Sequence, residues 1–443
     1  MLTALTARPL VIELSQEREI ARLRIVRMIF ATLVLLVIEG GLRKWAMPSA
    51  QKALFFIRDP FALACLYLAV RHQFLRWSPL TLVICSLGTA FIFLAAYHII
   101  ALNLSPVVAG YGWRNYFLYA SFALVMAAVL RRSEVIGLIR WSLWMALPMA
   151  VLGYVQWTSP SNAWVNQSIG GGEAFTVAQG VVRTNGTFTF TTGFVCFAGA
   201  TFAALAAAAF TTDIRRWLVV AGGIAAATCL ATSGARTAFV HAALSGVTVV
   251  ACEMFRPLAR QRPVIYLGAF SLTVGLVGAL WLFYPRALDL MSERSSAAAR
   301  VEDPTARALG LLTGGFASME AAGYFGHGLG ISTGGGSSVA TGQRSFTLAE
   351  EEFPRVVLEC GLVLGMSYMI LRFALAAWLI LAAIRCVRRN DDPLPLLLAP
   401  FPVVLLAVGQ LTMQGSVNGY GWIYTGLTLA AIATSSARED ARV

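Results

Sequence analysis

About twelve stretches of this chain are apolar enough and long enough to cross a bilayer, and no other feature constrains its fold so tightly. They fall near residues 24–42, 53–70, 79–101, 114–130, 135–157, 187–210, 216–232, 237–253, 264–284, 353–384, 394–412 and 417–435. A spanning helix needs about 20 mostly apolar residues, because backbone N–H and C=O groups in hydrocarbon must be satisfied within their own segment. With 58% hydrophobic and 13% charged residues and a mean hydropathy of +0.71, the chain is too apolar for these runs to be cores of soluble domains. The expected architecture is all-α, a multi-pass bundle of about 12 helices. It forms one transmembrane domain over 1–443, without internal repeats and with the lipid bilayer as its first partner.

Basic residues set the threading, since cytoplasmic loops are enriched in Lys and Arg. With the N-terminus inside, inner loops receive Arg18, Arg22, Arg24 and Arg27; Arg71 and Arg76; Arg131 and Arg132; Arg215 and Arg216; Arg256, Arg260 and Arg262; and Arg385, Arg388 and Arg389. Both termini are then cytoplasmic. The net charge of +12 reads as a topology signal rather than a nucleic-acid surface. The N-terminus lacks the compact apolar core and small-residue cleavage site of a removable signal peptide, so the first helix is expected to target the chain. Of the cysteines, Cys65, Cys85, Cys196, Cys229 and Cys252 fall within spans, and Cys360 and Cys386 lie at span ends. No pair shares an outer loop, which gives no support to a disulfide framework or a CxxC metal site.

Two outer connections are long: 158–186, and 285–352 between the ninth and tenth helices. Connections of this length are usually functional or disordered. The second contains FGHGLGISTGGG at 325–336, which lacks the GK[ST] ending and preceding strand of a phosphate loop, so its glycines are read as tight turns. His327 in this stretch has no Asp or Glu at ligand spacing, a poor basis for a metal site. His98 and His241 fall within spans and read as packed, hydrogen-bonded interior residues.

Several cations break the inside rule. Arg43, Lys44, Arg58, Arg114, Arg183, Arg236, Arg307 and Arg355 all fall at outer loops or outer helix ends. An Arg within hydrocarbon costs about 2.5 to 3.5 kcal/mol on insertion scales unless it snorkels or meets an anion. Each alone fits snorkelling, or pairing with a neighbour such as Asp59 beside Arg58. Together they suit an anionic, multi-oxygen ligand, because guanidinium groups bind phosphate bidentately, and their place at the lipid boundary suits a lipid-linked one. Arg183 opens RTNGTFTFTTG, with an Asn-Gly turn signal, and Arg236 lies in the tight turn ATSGARTAF. Their hydroxyl neighbours are read mainly as back-bonding to helix carbonyls.

The segment TLAEEEFPRVVLECG at 347–361 places Glu350, Glu351 and Glu352 where the tenth span begins. Thr347 with Glu350 fits a capping box, Glu351 with Arg355 an i,i+4 pair, and Pro354 a helix start. The same carboxylates suit a general base. A free Glu, with a pKa of about 4.3, is a modest base that neighbouring carboxylates and partial burial would raise.

In order and pattern these motifs resemble the O-antigen ligase and O-antigen polymerase superfamily of bacterial polysaccharide assembly. The resemblance rests on Arg183-x-x-Gly186-Thr-Phe entering a span, Ser233-Gly-x-Arg236 between spans, and a long outer loop with Arg307 and then Gly326-x-Gly328-x-Gly330. A span opening with Glu359-x-Gly361 completes the order, and EGGLRKWAMP at 39–48 with FIRDP at 56–60 looks like a subgroup of such polymerases. Many members carry His-Asn nine residues before Glu-x-Gly, where this chain has Glu350 and Glu351.

The resemblance implies an inverting, metal-independent glycosyl transfer at the outer face of the bacterial cytoplasmic membrane. The donor would be a glycan on polyprenyl pyrophosphate, with no cofactor and with a flippase and a chain-length regulator as partner proteins. Arg183, Arg236 and Arg307 would hold the pyrophosphate, with Arg58 and Arg114 as further candidates. Arg355 would assist, and Glu350 or Glu352 would take the acceptor proton. A polymerase is favoured over a ligase, which uses the same donor and differs in acceptor. A flippase or transporter of lipid-linked anionic glycans, or a non-catalytic export scaffold, are the alternatives from other classes.

Overall fold

A computed structural model describes residues 3–169, 181–257, 303–336 and 348–440, with Thr176, Tyr284, Asp289, Ser292, Glu293 and Ser296 between them. The expected span 264–284 lies almost wholly outside the described residues. The described chain is all-helical, its one β-type contact being an isolated bridge between Thr176 and Val182. In order the helices are α1 (Thr3–Gly41), α2 (Gln51–Leu54), α3 (Asp59–Arg71), α4 (Pro79–Ala101), α5 (Pro106–Trp113), α6 (Tyr119–Val129), α7 (Arg132–Thr158), α8 (Thr191–Ala209), α9 (Arg216–Thr232) and α10 (Arg236–Phe255). Then come α11 (Pro304–Ala317), α12 (Met319–Ala322), α13 (Glu352–Asn390), α14 (Leu394–Leu398), α15 (Pro400–Val408) and α16 (Gly415–Asp440). Among the described residues, 7 helical stretches are long and apolar enough to cross a membrane, which makes this a helical membrane protein.

Local chemistry explains the boundaries. Ser78 caps α4 through Thr81 N–H at 3.2 Å with Pro79 next in line, and Glu134 reaches back to the Arg131 N–H at 2.7 Å to start α7. Pro400 has no N–H to give, and the chain divides there into α14 and α15. Helix α8 is 83% buried over its most apolar window, against 28% for α4, so α8 is central and α4 peripheral. Its run of Ala and Gly lets neighbours approach closely. Helix α16 lies along α6, where a Cβ on Gly426 would stand only 3.1 Å from the Ala123 Cα.

Charge sorts the bundle into two levels. At one end, here the basal end, Arg22 meets Glu134 at 2.8 Å, Arg131 meets Glu19 at 2.8 Å, and Arg132 meets Asp392 at 2.5 Å. All three arginines belong to the loops expected on the cytoplasmic side. The cations expected on the opposite side gather toward the distal end.

The expected span 353–384 takes a different shape. Helix α13 is broken at Gly361, which has φ +78° and ψ 173°, and the chain folds back there. In a straight helix Glu352 and Arg372 would lie about 30 Å apart at 1.5 Å per residue. Here they are ion-paired at 2.7 Å, the Phe353 and Phe373 ring centroids are 5.8 Å apart, and a Cβ on Gly365 would lie 2.9 Å from the Val357 Cα. Residues 352–360 therefore form a re-entrant half-helix whose start is tucked into the bundle, and residues 362–390 make the span.

Such a break exposes backbone groups that lipid cannot satisfy. The glycine-rich stretch supplies their partners: His327 N–H donates to Leu358 O at 2.9 Å, Gly328 N–H to Glu359 O at 3.3 Å, and Leu362 N–H to Gly323 O at 2.9 Å. Gly326, Gly328 and Gly330 all have positive φ, as the turn reading expects, and their function here is to cap a broken helix. Residues 304–322 of the expected outer loop are helical, as α11 and α12. We predict that Gly361→Ala, which forces a Cβ into a positive-φ conformation open essentially only to glycine and against Tyr324, costs more than the roughly 1–3 kcal/mol of the conformation alone. The thermal midpoint of detergent-solubilised protein should fall by several degrees, and an unchanged midpoint would contradict the fold-back.

Candidate functional site

At the distal level the structure gives four of the eight cations expected on the outer side, Arg43, Arg58, Arg114 and Arg355, a carboxylate. Arg355, fully buried, is ion-paired to Glu352 and, at 3.2 Å, to Glu359, and it also donates to the Thr412 hydroxyl. Glu352 takes a second ion pair from Arg372 and the Thr412 N–H at 2.9 Å. Glu359 accepts from the Tyr116 hydroxyl at 2.8 Å and from Ser332 N–H at 2.8 Å. Arg372 spends its remaining donors on the carbonyls of Leu405, Leu406 and Gly409, at the end of α15.

A second network adjoins the first through Asn115, whose side chain donates to Thr412 O at 3.0 Å. Arg114 grips Asp59 with two nitrogens, at 2.6 and 2.8 Å, and the Tyr119 hydroxyl donates to the same carboxylate. Glu39 accepts from Arg43 at 3.0 Å and from Arg58 at 2.7 Å. Arg58 therefore pairs across helices with Glu39, rather than with adjacent Asp59 as sequence proximity suggests. Phe55, Tyr111 and Tyr119 place rings within 6 Å of these guanidinium groups. Arg58, Arg114 and Arg355, three of the candidate ligand arginines, are thus buried and internally matched.

The remaining candidates sit differently. The Asn-Gly turn forms as the sequence suggests, with Gly186 at φ +57° and Phe188 N–H on Asn185 O. Lys44 and Gln156 clamp it: Lys44 Nζ donates to Asn185 Oδ1 at 2.9 Å and Gly186 O at 2.6 Å, and Gln156 Oε1 accepts the Gly186 N–H at 2.7 Å. This holds half-buried Arg183 beside α7. The Thr184 hydroxyl faces Gly153 O, and a Cβ on Gly153 would come within 3.2 Å of the Thr232 hydroxyl. The turn carrying Arg183 and the α9–α10 turn carrying Arg236 therefore abut one point of α7. Arg236 is exposed and has no carboxylate partner among the described residues. The hydroxyls of Thr232 and Ser233 bond back to Thr228 O and Leu230 O, the back-bonding read from sequence. For Arg307 only the backbone is described. It lies on the helical stripe of Gly310 and Gly314, whose Cβ positions would fall 3.9 and 3.3 Å from Glu351 Oε2.

Burial increases along the three glutamates: Glu350 is exposed, Glu351 half-buried and Glu352 3% exposed. The capping-box and i,i+4 expectations are corrected. Glu351 is the N-cap residue and α13 starts at Glu352, Arg355 pairs with Glu352 and Glu359 instead of Glu351, and Thr347 lies outside the described residues. The structure gives Glu352 two arginine partners in place of solvent, and leaves Glu350 as the exposed carboxylate among the two base candidates. His327 is exposed and its ring bonds Ala321 O. His98 bridges Phe325 O and Leu329 N–H, at 2.8 and 2.9 Å, as a satisfied interior residue. His241 is packed on Gly199 and Phe401 with neither ring nitrogen bonded, so only the packing half of its expectation is met.

Sequence reasoning missed Arg372, Tyr116, Gln156 and Thr412. Arg372 carried a usable signal, a lone charge inside an apolar run, which marks an intramembrane partner. No protein-family model matches the chain, and no curated protein matches it in sequence.

A polar floor lies beside this site. The irregular stretch 409–414 between α15 and α16 carries Gln410 and Gln414, both half-buried. Gln410 donates to Glu350 O at 2.9 Å, Gln414 donates to Gln410 Oε1 at 2.7 Å, and the Thr192 hydroxyl donates to Gln414. Breaking one partner of a buried ion pair costs about 3–5 kcal/mol, whereas removing both is far milder. Arg372→Met should therefore sharply reduce the yield of monodisperse protein, and adding Glu352→Gln should recover part of it. No recovery in the double variant, by size-exclusion chromatography, would count against a coupled pair.

Proposed function

We propose that this chain is an inverting glycosyltransferase of the bacterial cytoplasmic membrane. It polymerises polyprenyl-pyrophosphate-linked repeat units at the outer face, with about twelve helices and both termini in the cytoplasm. The observation that carries this reading is the division among the distal cations. Arg58, Arg114 and Arg355 are matched by buried carboxylates, while Arg236 is exposed at a turn that meets α7 at the same point, Gly153, as the turn of Arg183. Gly310 and Gly314 of α11, the helix that carries Arg307, face Glu351.

In this mechanism an acceptor hydroxyl attacks the anomeric carbon with inversion, and the bond from that carbon to the pyrophosphate oxygen breaks. Polyprenyl pyrophosphate leaves, and Glu350 receives the hydroxyl proton. Arg183, Arg236 and Arg307 stabilise the charge on the leaving group, each charge-assisted hydrogen bond contributing about 1.5–3 kcal/mol. Arg355 supports the site from within, by fixing the half-helix that follows Glu350. A ligase would differ only in acceptor.

A flippase for the same lipid-linked glycans is the second reading, favoured by the broken helix at Gly361, since discontinuous helices are a transporter feature. Purified protein given polyprenyl-pyrophosphate-linked repeats separates the two: elongation supports the enzyme, and transbilayer movement of unchanged donor supports the flippase. Arg236→Ala should abolish elongation without changing the size-exclusion profile, and near-normal polymer would sink the pyrophosphate assignment. Glu350→Gln should slow turnover by about 10²–10⁴ in a folded protein, whereas Glu352→Gln should first reduce the amount of folded protein.

A further inference from the structure

We infer that Thr192, Gln410 and Gln414 form a binding subsite for the vicinal hydroxyls of a neutral sugar, next to Glu350. The first support is depth. Helices α14 and α15 start beside the Arg132–Asp392 pair and cover 394–408, a rise of about 22 Å at 1.5 Å per residue, inside a hydrocarbon layer of about 30 Å. Irregular backbone at that depth persists only when enclosed by protein or lining a water-filled cavity. Thr412 is fully buried, but Gln410 and Gln414 are half-buried and the bond from Gln410 to Glu350 is exposed, so these amides reach the protein surface next to Glu350.

The second support is hydrogen-bond arithmetic. The chain Thr192 to Gln414 to Gln410 to Glu350 O uses one donor of each amide. Each carboxamide N–H₂ keeps a second donor, and each amide oxygen a second lone pair. The neighbouring Thr191 hydroxyl is 2% exposed and has no partner. Alternating neutral donors and acceptors match a vicinal diol, in which each hydroxyl both gives and accepts. They do not match a phosphate: no cation bonds to the three side chains among the described residues, and the stretch is bonded to the backbone of an acidic residue, Glu350. A diol seated there would hold a sugar hydroxyl close to Glu350. Reading that sugar as the acceptor rests on the glycosyl-transfer proposal, whereas the polar subsite does not.

The test uses the full chain in lipid nanodiscs and saturation-transfer difference NMR, with methyl glycosides of glucose, galactose, mannose and N-acetylglucosamine as probes. At least one glycoside should receive saturation, and Gln414→Leu or Gln410→Leu should weaken its binding about tenfold, the worth of one or two hydrogen bonds. Arg236→Ala should leave it unchanged. Gln410→Glu, an isostere that replaces the two donors with a charged acceptor, gives the same readout if the leucine variants do not fold. Absence of glycoside binding to the wild type, or binding indifferent to all three variants, overturns the subsite. Glutamine-dependent binding without elongation of lipid-linked donor would keep the subsite and reject the enzyme. Elongation with an unaltered acceptor KM in Gln410→Glu would keep the enzyme and reject the subsite.

Discussion

The Arg372–Glu352 ion pair holds together the part of this molecule on which the distal end depends. It joins the start of a half-helix to a point eleven residues beyond the turn at Gly361, and so keeps residues 352–360 inside the bundle. Ion pairs at that depth are costly to assemble, because desolvation offsets much of their attraction. They persist when remaining hydrogen bonds are also satisfied, and here Thr412, Tyr116, Ser332 and three carbonyls at the end of α15 satisfy them. The same bonds fix the irregular 409–414 stretch, so the floor of the proposed site is set by the network beneath it.

Lipid supplies the governing constraint. A helix broken within a membrane needs partners for its freed backbone groups, and in this chain a loop rich in glycine provides them. The glycines at 326, 328 and 330 are required by backbone geometry, which explains why a stretch that looks like a phosphate loop caps a helix instead. His98 joins this arrangement from α4, tying Phe325 and Leu329 in place.

The distal arginines show how far residue type alone carries an inference. Arg58, Arg114 and Arg355 stand out in sequence for the same reason as Arg236: each is a cation where lipid begins. The carboxylate partners of Arg114 and Arg58 are distant along the chain, Asp59 lying 55 residues from Arg114 and Glu39 lying 19 from Arg58, whereas Arg355 pairs with Glu352 and Glu359 on its own half-helix. Periodicity and composition carry no information on such pairings. The Asn-Gly turn and the hydroxyl back-bonding were legible because they are decided within a few residues.

What the sequence determined by itself is therefore what local chemistry and hydropathy determine: an all-helical membrane protein, one end marked by the basic loops, and the caps and turns between spans. Tertiary structure decided that residues 352–360 turn back at Gly361 rather than lead straight into a span, because continuous hydropathy across 353–384 hides a break whose backbone partners come from residues 323–328. It also decided which cations are neutralised inside the protein and which face outward. For Arg58, Arg114 and Arg372 that division depends on which carboxylate meets which guanidinium across the bundle, a matter of packing between helices.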